Sequence, residues 1–293
     1  MAIYIVKSWY KKGWKNKVWV PKTWNGLSSF YGYNVWTDGQ TIYLGSDYIL
    51  DSSTSTWSPN SASNPPGGLD VWYCGDDVYY SYNSTQIVLN KTTGSWSSKS
   101  WANYIPYGRH VWYHNASGLC FYTSRTPGTS YANGISRYLL PDLQRWNDIE
   151  WMEPDGGALY TRYLNASHVW TDGVNTYYSN SSETDTSGYP FTEHNRQYIL
   201  NVNLSETYKF KCNKKTWGGT NYLYGYNVWH DDGNTYNGIT TSYKLNTSTD
   251  TWESIVWDGV DGWSPSTSSL VDRIWHDGRK TYYSYDTVQY ELV

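Results

Sequence analysis

Six copies of one short motif run along the whole of this 293-residue chain, and they restrict its fold more than any other feature. Four are nearly identical: Asn34-Val35-Trp36-Thr37-Asp38-Gly39, His168-Val169-Trp170-Thr171-Asp172-Gly173, Asn227-Val228-Trp229-His230-Asp231-Asp232-Gly233 and Arg273-Ile274-Trp275-His276-Asp277-Gly278. Two are looser, Asp70-Val71-Trp72-Tyr73-Cys74-Gly75 and His110-Val111-Trp112, the latter reaching its glycine only at Gly118. The six tryptophans stand 36, 40, 58, 59 and 46 residues apart. Repeats of this size mark units that cannot bury an apolar face alone and must stack on their neighbours. Each copy leads into an aromatic stretch such as Val78-Tyr79-Tyr80-Ser81, Phe121-Tyr122-Thr123, Thr176-Tyr177-Tyr178-Ser179 or Thr281-Tyr282-Tyr283-Ser284. Asp-Gly between two such stretches predicts a hairpin with positive φ at both turn positions.

A second half-motif follows in Tyr48-Ile49-Leu50-Asp51 with Trp57, Tyr243-Lys244-Leu245-Asn246 with Trp252, and Tyr208-Lys209-Phe210 with Trp217. Each reads as strand, polar turn, strand. A further aromatic often stands five positions on, as in Trp96/Trp101, Trp146/Trp151, Trp217/Tyr222 and Trp252/Trp257. Four short strands per unit are therefore expected. The last unit stops after Val288-Gln289-Tyr290-Glu291-Leu292-Val293, one strand short, and the missing strand is supplied at the other end of the chain by Trp19 to Trp24. The expectation is an all-β ring of six four-stranded units, closed by an N-terminal strand, so that no long sheet edge is left open. Composition agrees: Trp 19, Tyr 32 and Phe 4 outnumber Leu, Ile and Val together, and helix formers are scarce, which excludes an all-helical chain.

The first residues, Met1 to Lys7, are too short an apolar run for an export signal, and no segment approaches the length of a membrane-spanning helix. No membrane insertion is expected. Cys74, Cys120 and Cys212 have no metal-ligand spacing and are expected as buried small residues. Residues 1–24 carry six lysines and no acid, against a net charge of -4 for the whole chain. Residues 1–18 read as a basic arm and 19–293 as a single ring, with Lys7, Lys11, Lys12, Lys15 and Lys17 as partner-docking candidates. The acidic remainder argues against nucleic acid.

These repeats resemble the kelch-type β-propeller family over roughly Trp19 to Val293. The glycine doublet of that family is replaced here by Gly45-Ser46, Ser81-Tyr82, Ser179-Asn180 and Ser284-Tyr285. The resemblance implies a six-bladed propeller that serves mostly as a binding platform. With strands alternating in direction, the long connections Ser124–Ser136, Asn180–Glu206, Met152–Ala166 and Asp258–Ser269 gather on one face. Loops on a rigid scaffold are where binding groups concentrate. Tyr131, Tyr160, Arg162, Tyr163, Tyr189, His194 and Trp263 are the ligand-binding candidates, because flat aromatics beside polar groups suit sugars. The residue two before each motif tryptophan, Asn34, Asp70, His110, His168, Asn227 or Arg273, is polar in every unit and is expected as a ring at the channel mouth. The repeated aspartates read as turn formers. No metal or other cofactor is expected.

The single-domain layout and the Tyr/Asn/Ser/Thr/Trp-rich composition are similar to bacteriophage virion proteins that decorate heads or tails. This implies a non-enzymatic virion component that binds a host glycan or a neighbouring virion protein, many copies per particle adding avidity. The alternative location is cytoplasmic. Two other roles compete: a purely structural virion subunit and a sialidase-like glycoside hydrolase using Arg125, Arg162, Arg196, Glu153 and Tyr163. Against the latter, the aspartate-box turn of sialidases is present only as the fragment Ser248-Thr249-Asp250-Thr251-Trp252.

Overall fold

The computed structural model of the chain describes residues 18–61, 68–102, 106–114, 116–124, 135–140, 145–149, 151, 166–180, 196–203, 210–220, 223–238, 242–255, 257 and 273–293. They form six four-stranded antiparallel sheets arranged as a six-bladed β-propeller. Blade 1 contains Val35–Thr37, Ile42–Leu44, Tyr48–Asp51 and Thr56–Pro59; blade 2 contains Val71–Cys74, Asp77–Tyr82, Thr85–Asn90 and Ser95–Ser98. Blade 3 is built from Val111–His114, Leu119–Ser124, Ile135–Leu140 and Arg145–Asp148, and blade 4 from Val169–Thr171, Thr176–Asn180, Arg196–Val202 and Phe210–Lys214. Blade 5 comprises Val228–Asp231, Asn234–Gly238, Ser242–Asn246 and Thr251–Ile255. Blade 6 joins both ends of the chain: Ile274–His276, Thr281–Tyr285 and Val288–Leu292 are completed by Trp19–Pro21.

The closing strand pairs Trp19 with Leu292 and Pro21 with Tyr290. Val18 and Val293 exchange both backbone hydrogen bonds, at 2.8 and 2.9 Å. The expected strand Trp19 to Trp24 is shorter in the structure, ending at Pro21, with one further bond from the Lys22 N–H to the Gln289 carbonyl at 2.8 Å. The chain then crosses to blade 1, where Asn25 bridges Thr56. Lys22 secures the crossing. Its ammonium lies 3.2 Å from the buried Glu291 carboxylate, which Lys280 also contacts, and it donates to Ser55 of blade 1.

Each blade uses the same aromatic register. The motif tryptophan stacks on the aromatic directly across the hairpin: Trp36 on Tyr43, Trp72 on Tyr79, Trp112 on Phe121, Trp170 on Tyr177, Trp229 on Tyr236 and Trp275 on Tyr282, with centroids 4.2–4.5 Å apart. In blades 1, 2, 3, 4 and 6 its indole N–H is satisfied nine or eleven residues on, by the Gly45 carbonyl or the hydroxyls of Ser81, Thr123, Ser179 and Ser284. This explains what replaces the expected glycine doublet. The buried serine offers a hydroxyl acceptor in blades 2, 4 and 6, where blade 1 uses the Gly45 carbonyl instead.

Between blades, a tryptophan from the fourth strand of one blade meets the motif tryptophan of the preceding blade. Trp57 approaches Trp275, Trp96 approaches Trp36, Trp146 approaches Trp72, Trp252 approaches Trp170 and Trp19 approaches Trp229. A further ring wedges into five of the six seams: Trp24, Trp101, Trp217 and Trp257 into four of those just named, and Trp151 against Trp112 between blades 3 and 4. Between blades 1 and 2 the corresponding sequence position is Ala62, so no tryptophan is available there.

Three sequence expectations are corrected. In blade 4 the strand pair is not the one ending at Trp217. Leu200 pairs with Cys212, in the register of Leu50 with Trp57 and Leu139 with Trp146, and Trp217 is the wedge five residues later. The Asp-Gly turns are mostly not two-residue hairpins. Gly39, Gly173 and Gly278 have positive φ but their aspartates do not, and each aspartate instead accepts two backbone N–H groups on one oxygen and a tyrosine hydroxyl on the other. Blade 5 alone carries the extra residue that puts positive φ on both Asp232 and Gly233. Finally, the three cysteines are buried as expected, but Cys74 and Cys120 form a disulfide between blades 2 and 3, with Cys212 outside it.

The six blades also alternate in kind. Blades 2, 4 and 6 each have a buried serine accepting from the indole, a glutamine in the third strand (Gln86, Gln197, Gln289), and a lysine over the wedge tryptophan: Lys99 on Trp101, Lys215 on Trp217, Lys22 on Trp24. The three glutamines donate across the following seam, to the carbonyls of Pro106, Leu223 and Phe30 in blades 3, 5 and 1. Each of those carbonyls precedes a Tyr-Gly pair, Tyr107-Gly108, Tyr224-Gly225 or Tyr31-Gly32. The ring is thus three blade pairs, 6 with 1, 2 with 3 and 4 with 5.

Candidate functional site

Antiparallel alternation places the first-to-second and third-to-fourth turns at one end of the ring, and the other connections at the opposite end. At the first end the aspartates described above consume the N–H groups of the first-to-second turns of blades 1, 4 and 6, so those three turns are short and self-satisfied. Residues 125–134, 152–165, 181–195 and 258–272 all leave from strand ends at the second end. The ligand-binding candidates Tyr131, Tyr160, Arg162, Tyr163, Tyr189, His194 and Trp263 fall in these segments, outside the described residues. So do Lys7, Lys11, Lys12, Lys15 and Lys17.

The polar ring is described in full. Asn34, Asp70, His110, His168 and Asn227 each close a short 3-10 turn immediately before a first strand, and Arg273 occupies the same position in blade 6. The turns pack tightly around the axis. A Cβ on Gly32, Gly68, Gly108 or Gly225 would overlap the backbone of Arg273, Asn34, Asp70 or His168, the polar residue of the blade before. Neither composition nor the motif search revealed these glycines, although Tyr-Gly two or three residues before the polar position was visible in three blades.

The six side chains differ in burial and partners. Asp70 and Asn227 are buried at 6% and 2% exposure, whereas Asn34, His110, His168 and Arg273 are half-buried. His168 donates from Nδ1 to the Ser179 carbonyl at 3.1 Å, and burial lowers its pKa, so it is held neutral. The Arg273 guanidinium lies flat on Tyr285, 3.5 Å from the ring centroid. Among the described residues no group of three or more His, Cys, Asp or Glu could hold a metal. The carboxyls of Asp51 and Asp172 have lowered pKa values, from the hydrogen bonds of Ser53 and Thr54 in the first case and of backbone N–H groups and Tyr177, set against burial, in the second. Lowering is the reverse of what a general acid needs.

The residues that sequence reasoning missed lie beside this ring. Tyr31, Tyr33 and Tyr285 cluster at the seam of blades 6 and 1, with Tyr31 stacked on Tyr33 at 5.3 Å and edge-on to Tyr285 at 5.4 Å. Asp286, held by Ser29 at 2.5 Å, raises the pKa of the Tyr31 hydroxyl. Tyr82 and Tyr107 form a second pair at the seam of blades 2 and 3, 6.2 Å apart and 78° inclined, with the Tyr107 hydroxyl donating to Asn83 at 3.3 Å. Tyr82, Tyr107 and Tyr285 are each about two-fifths exposed. A cleft of about 290 Å³ opens along the first strands of blades 6 and 1, lined by Tyr33, Val35, Thr37, Tyr73, Ile274 and His276.

No family model matches the sequence, and no curated protein matches it. Among solved structures, the extracellular domain of the putative hybrid two-component system BT4673 from B. thetaiotaomicron is similar over 96% of this chain and 38% of its own, at 12% identity and a TM-score of 0.49. PorZ, a surface component of the type-IX secretion system of Porphyromonas gingivalis, is similar over 88% and 38%, at 10% identity and a TM-score of 0.46. A fungal alcohol oxidase of the AA5 family in complex with copper is similar over 94% and 73%, at 11% identity and a TM-score of 0.42. The chain spans little more than a third of the first two, and at these values the likeness carries no argument about function. What this chain is rests on its own strand order, which is that of a six-bladed β-propeller closed by its N-terminal strand.

Proposed function

We propose that this chain is a non-enzymatic binding propeller of a bacteriophage particle, and that its loop-bearing face takes glycans of the host surface. The observation that carries the reading is the contrast between the two ends of the ring. At one end the Asp-Gly turns of blades 1, 4 and 6 close on their own hydrogen bonds; the other presents exposed tyrosines, an arginine and polar turn residues at the strand ends from which residues 125–134, 152–165, 181–195 and 258–272 leave. Tyrosine supplies a flat apolar face and a hydroxyl at small entropic expense, which is the chemistry that grips a sugar ring. The Cys74–Cys120 disulfide fits a protein that works outside a reducing cytosol. Weak binding per copy is sufficient where a particle carries many copies. The basic N-terminal segment is then the docking element to the particle.

A glycan array probed with the fluorescently labelled whole chain tests this directly. Selective binding to a subset of glycans is the expected result. Silence across the array would overturn the glycan reading in favour of a purely structural subunit, and turnover of any arrayed sugar would overturn the non-enzymatic one.

A further inference from the structure

We infer that the loop-bearing face carries two equivalent pyranose-binding notches, one made by Tyr82 and Tyr107 and the other by Tyr285 and Tyr31. This rests on the glycan reading above and gives it an address.

The pairing of blades is the first ground. Tyr82 and Tyr285 each directly follow the buried serine that accepts a motif indole, and Tyr107 and Tyr31 each precede the glycine of the next blade's 3-10 turn. The two notches are therefore the same site, repeated by the threefold arrangement of blade pairs. In both, the rings meet nearly at right angles, at 78° and 72°, forming a corner with two apolar walls. In both, the turn residue after the first tyrosine, Asn83 or Asp286, places an oxygen beside the second ring. An apolar corner rimmed by oxygen acceptors matches a pyranose, whose axial C–H groups pack on a ring while its hydroxyls donate at the edge.

The third blade pair supplies the second ground. At the seam of blades 4 and 5 the position of Tyr82 is occupied by Asn180, while Tyr224 remains in the position of Tyr107. That seam still makes the glutamine bond to the carbonyl before the Tyr-Gly pair, from Gln197 to Leu223 at 3.1 Å. Closing a blade pair thus does not require the first tyrosine. An exposed aromatic that one of three equivalent seams dispenses with is available for a ligand.

The notches differ in charge. Arg273 covers one face of Tyr285, whereas Asp70 holds the equivalent backbone position in blade 2. The notch of blades 6 and 1 also holds the Asp286 carboxylate beside Tyr31, set against that guanidinium, so both notches suit neutral pyranoses.

The test uses the whole chain with methyl glucoside, methyl galactoside, methyl N-acetylglucosaminide and methyl glucuronide as probes, read by saturation-transfer NMR, and the same glycan array. Tyr82→Ala and Tyr285→Ala should each weaken saturation transfer to the neutral probes, and the double variant should lose array binding by about tenfold or more, the scale of a removed aromatic stack. Tyr82→Phe and Tyr285→Phe, which keep the ring, should bind within about threefold of the parent. Val174→Ala on the opposite end should change nothing. Unaltered array binding by a double alanine variant that melts like the parent would overturn the notches while leaving the glycan reading intact. If the parent chain itself binds nothing, both fall. Should the alanine variants unfold, loss of binding in the folded phenylalanine variants would overturn the stacking role.

Discussion

At the scale of single residues, the interior is organised by hydrogen bonds that the aromatic packing would otherwise strand. Ser179 is fully buried and accepts from the Trp170 indole at 2.8 Å. Ser179→Ala leaves that N–H unpaired in a dry seam, and we expect a loss of about 1–3 kcal/mol in urea unfolding, the usual penalty for an unsatisfied buried donor. His114 gives the molecule a pH dependence. It is 5% exposed, its Nδ1 accepts from the Ser117 N–H, and it reaches the backbone of Leu200 in blade 4. Burial lowers its pKa below the ordinary 6.5, as it does for His168. The unfolded chain therefore binds these protons more readily than the folded one. Their contribution to stability is complete above pH 6.5 and is lost as pH falls below it. The melting temperature should drop between pH 7.5 and 5.5, and His114→Gln should flatten that drop; an unchanged slope would remove His114 from the account.

Individual strands and turns show where the sequence was readable. The motif tryptophans, the strand count and the ring closure could be found because each blade repeats one residue type at one place. The register of blade 4 could not. Tyr208 and Trp217 happen to reproduce the spacing of Tyr48 and Trp57, while the true fourth strand carries Cys212 where other blades carry tryptophan, and its preceding connection is longer. The better guide was the leucine of the third strand, seven residues before tryptophan in Leu50/Trp57, Leu89/Trp96, Leu139/Trp146 and Leu245/Trp252. The six polar positions are structurally equivalent, each at the end of the turn before a first strand, but side-chain burial, which separates Asn227 from His168, depends on the neighbouring blade and leaves no local mark. The glycines of the 3-10 turns carry a clear prediction. Gly108→Ala drives a Cβ into the Asp70 backbone and should cost about 1–3 kcal/mol in urea unfolding, whereas Ala166→Gly, at the equivalent turn of blade 4, should change stability by about 1 kcal/mol at most.

The whole molecule is a closed ring whose seams are unequal. Glutamine, lysine and wedge tryptophan recur where blades 6, 2 and 4 meet blades 1, 3 and 5, and the disulfide reinforces the middle one of these, between blades 2 and 3. Ring closure itself depends on a short N-terminal strand. Removing residues 1–17 should leave a ring that melts cooperatively, because the closing pairs from Val18 to Pro21 are retained. Removing residues 1–24 deletes Trp19 and Trp24 and exposes the edge of Val288–Leu292, and we expect aggregation and loss of the cooperative transition by calorimetry.

The central claim is that function resides on one end of this ring. Hydroxyl-radical footprinting of the whole chain, with and without the glycan that binds best on the array, measures it residue by residue. Protection of Tyr31, Tyr82, Tyr107 and Tyr285, with Val174 unchanged at 80% exposure on the opposite turns, is the predicted pattern. Protection centred on the Asp-Gly turns, with those tyrosines unaffected, would contradict it.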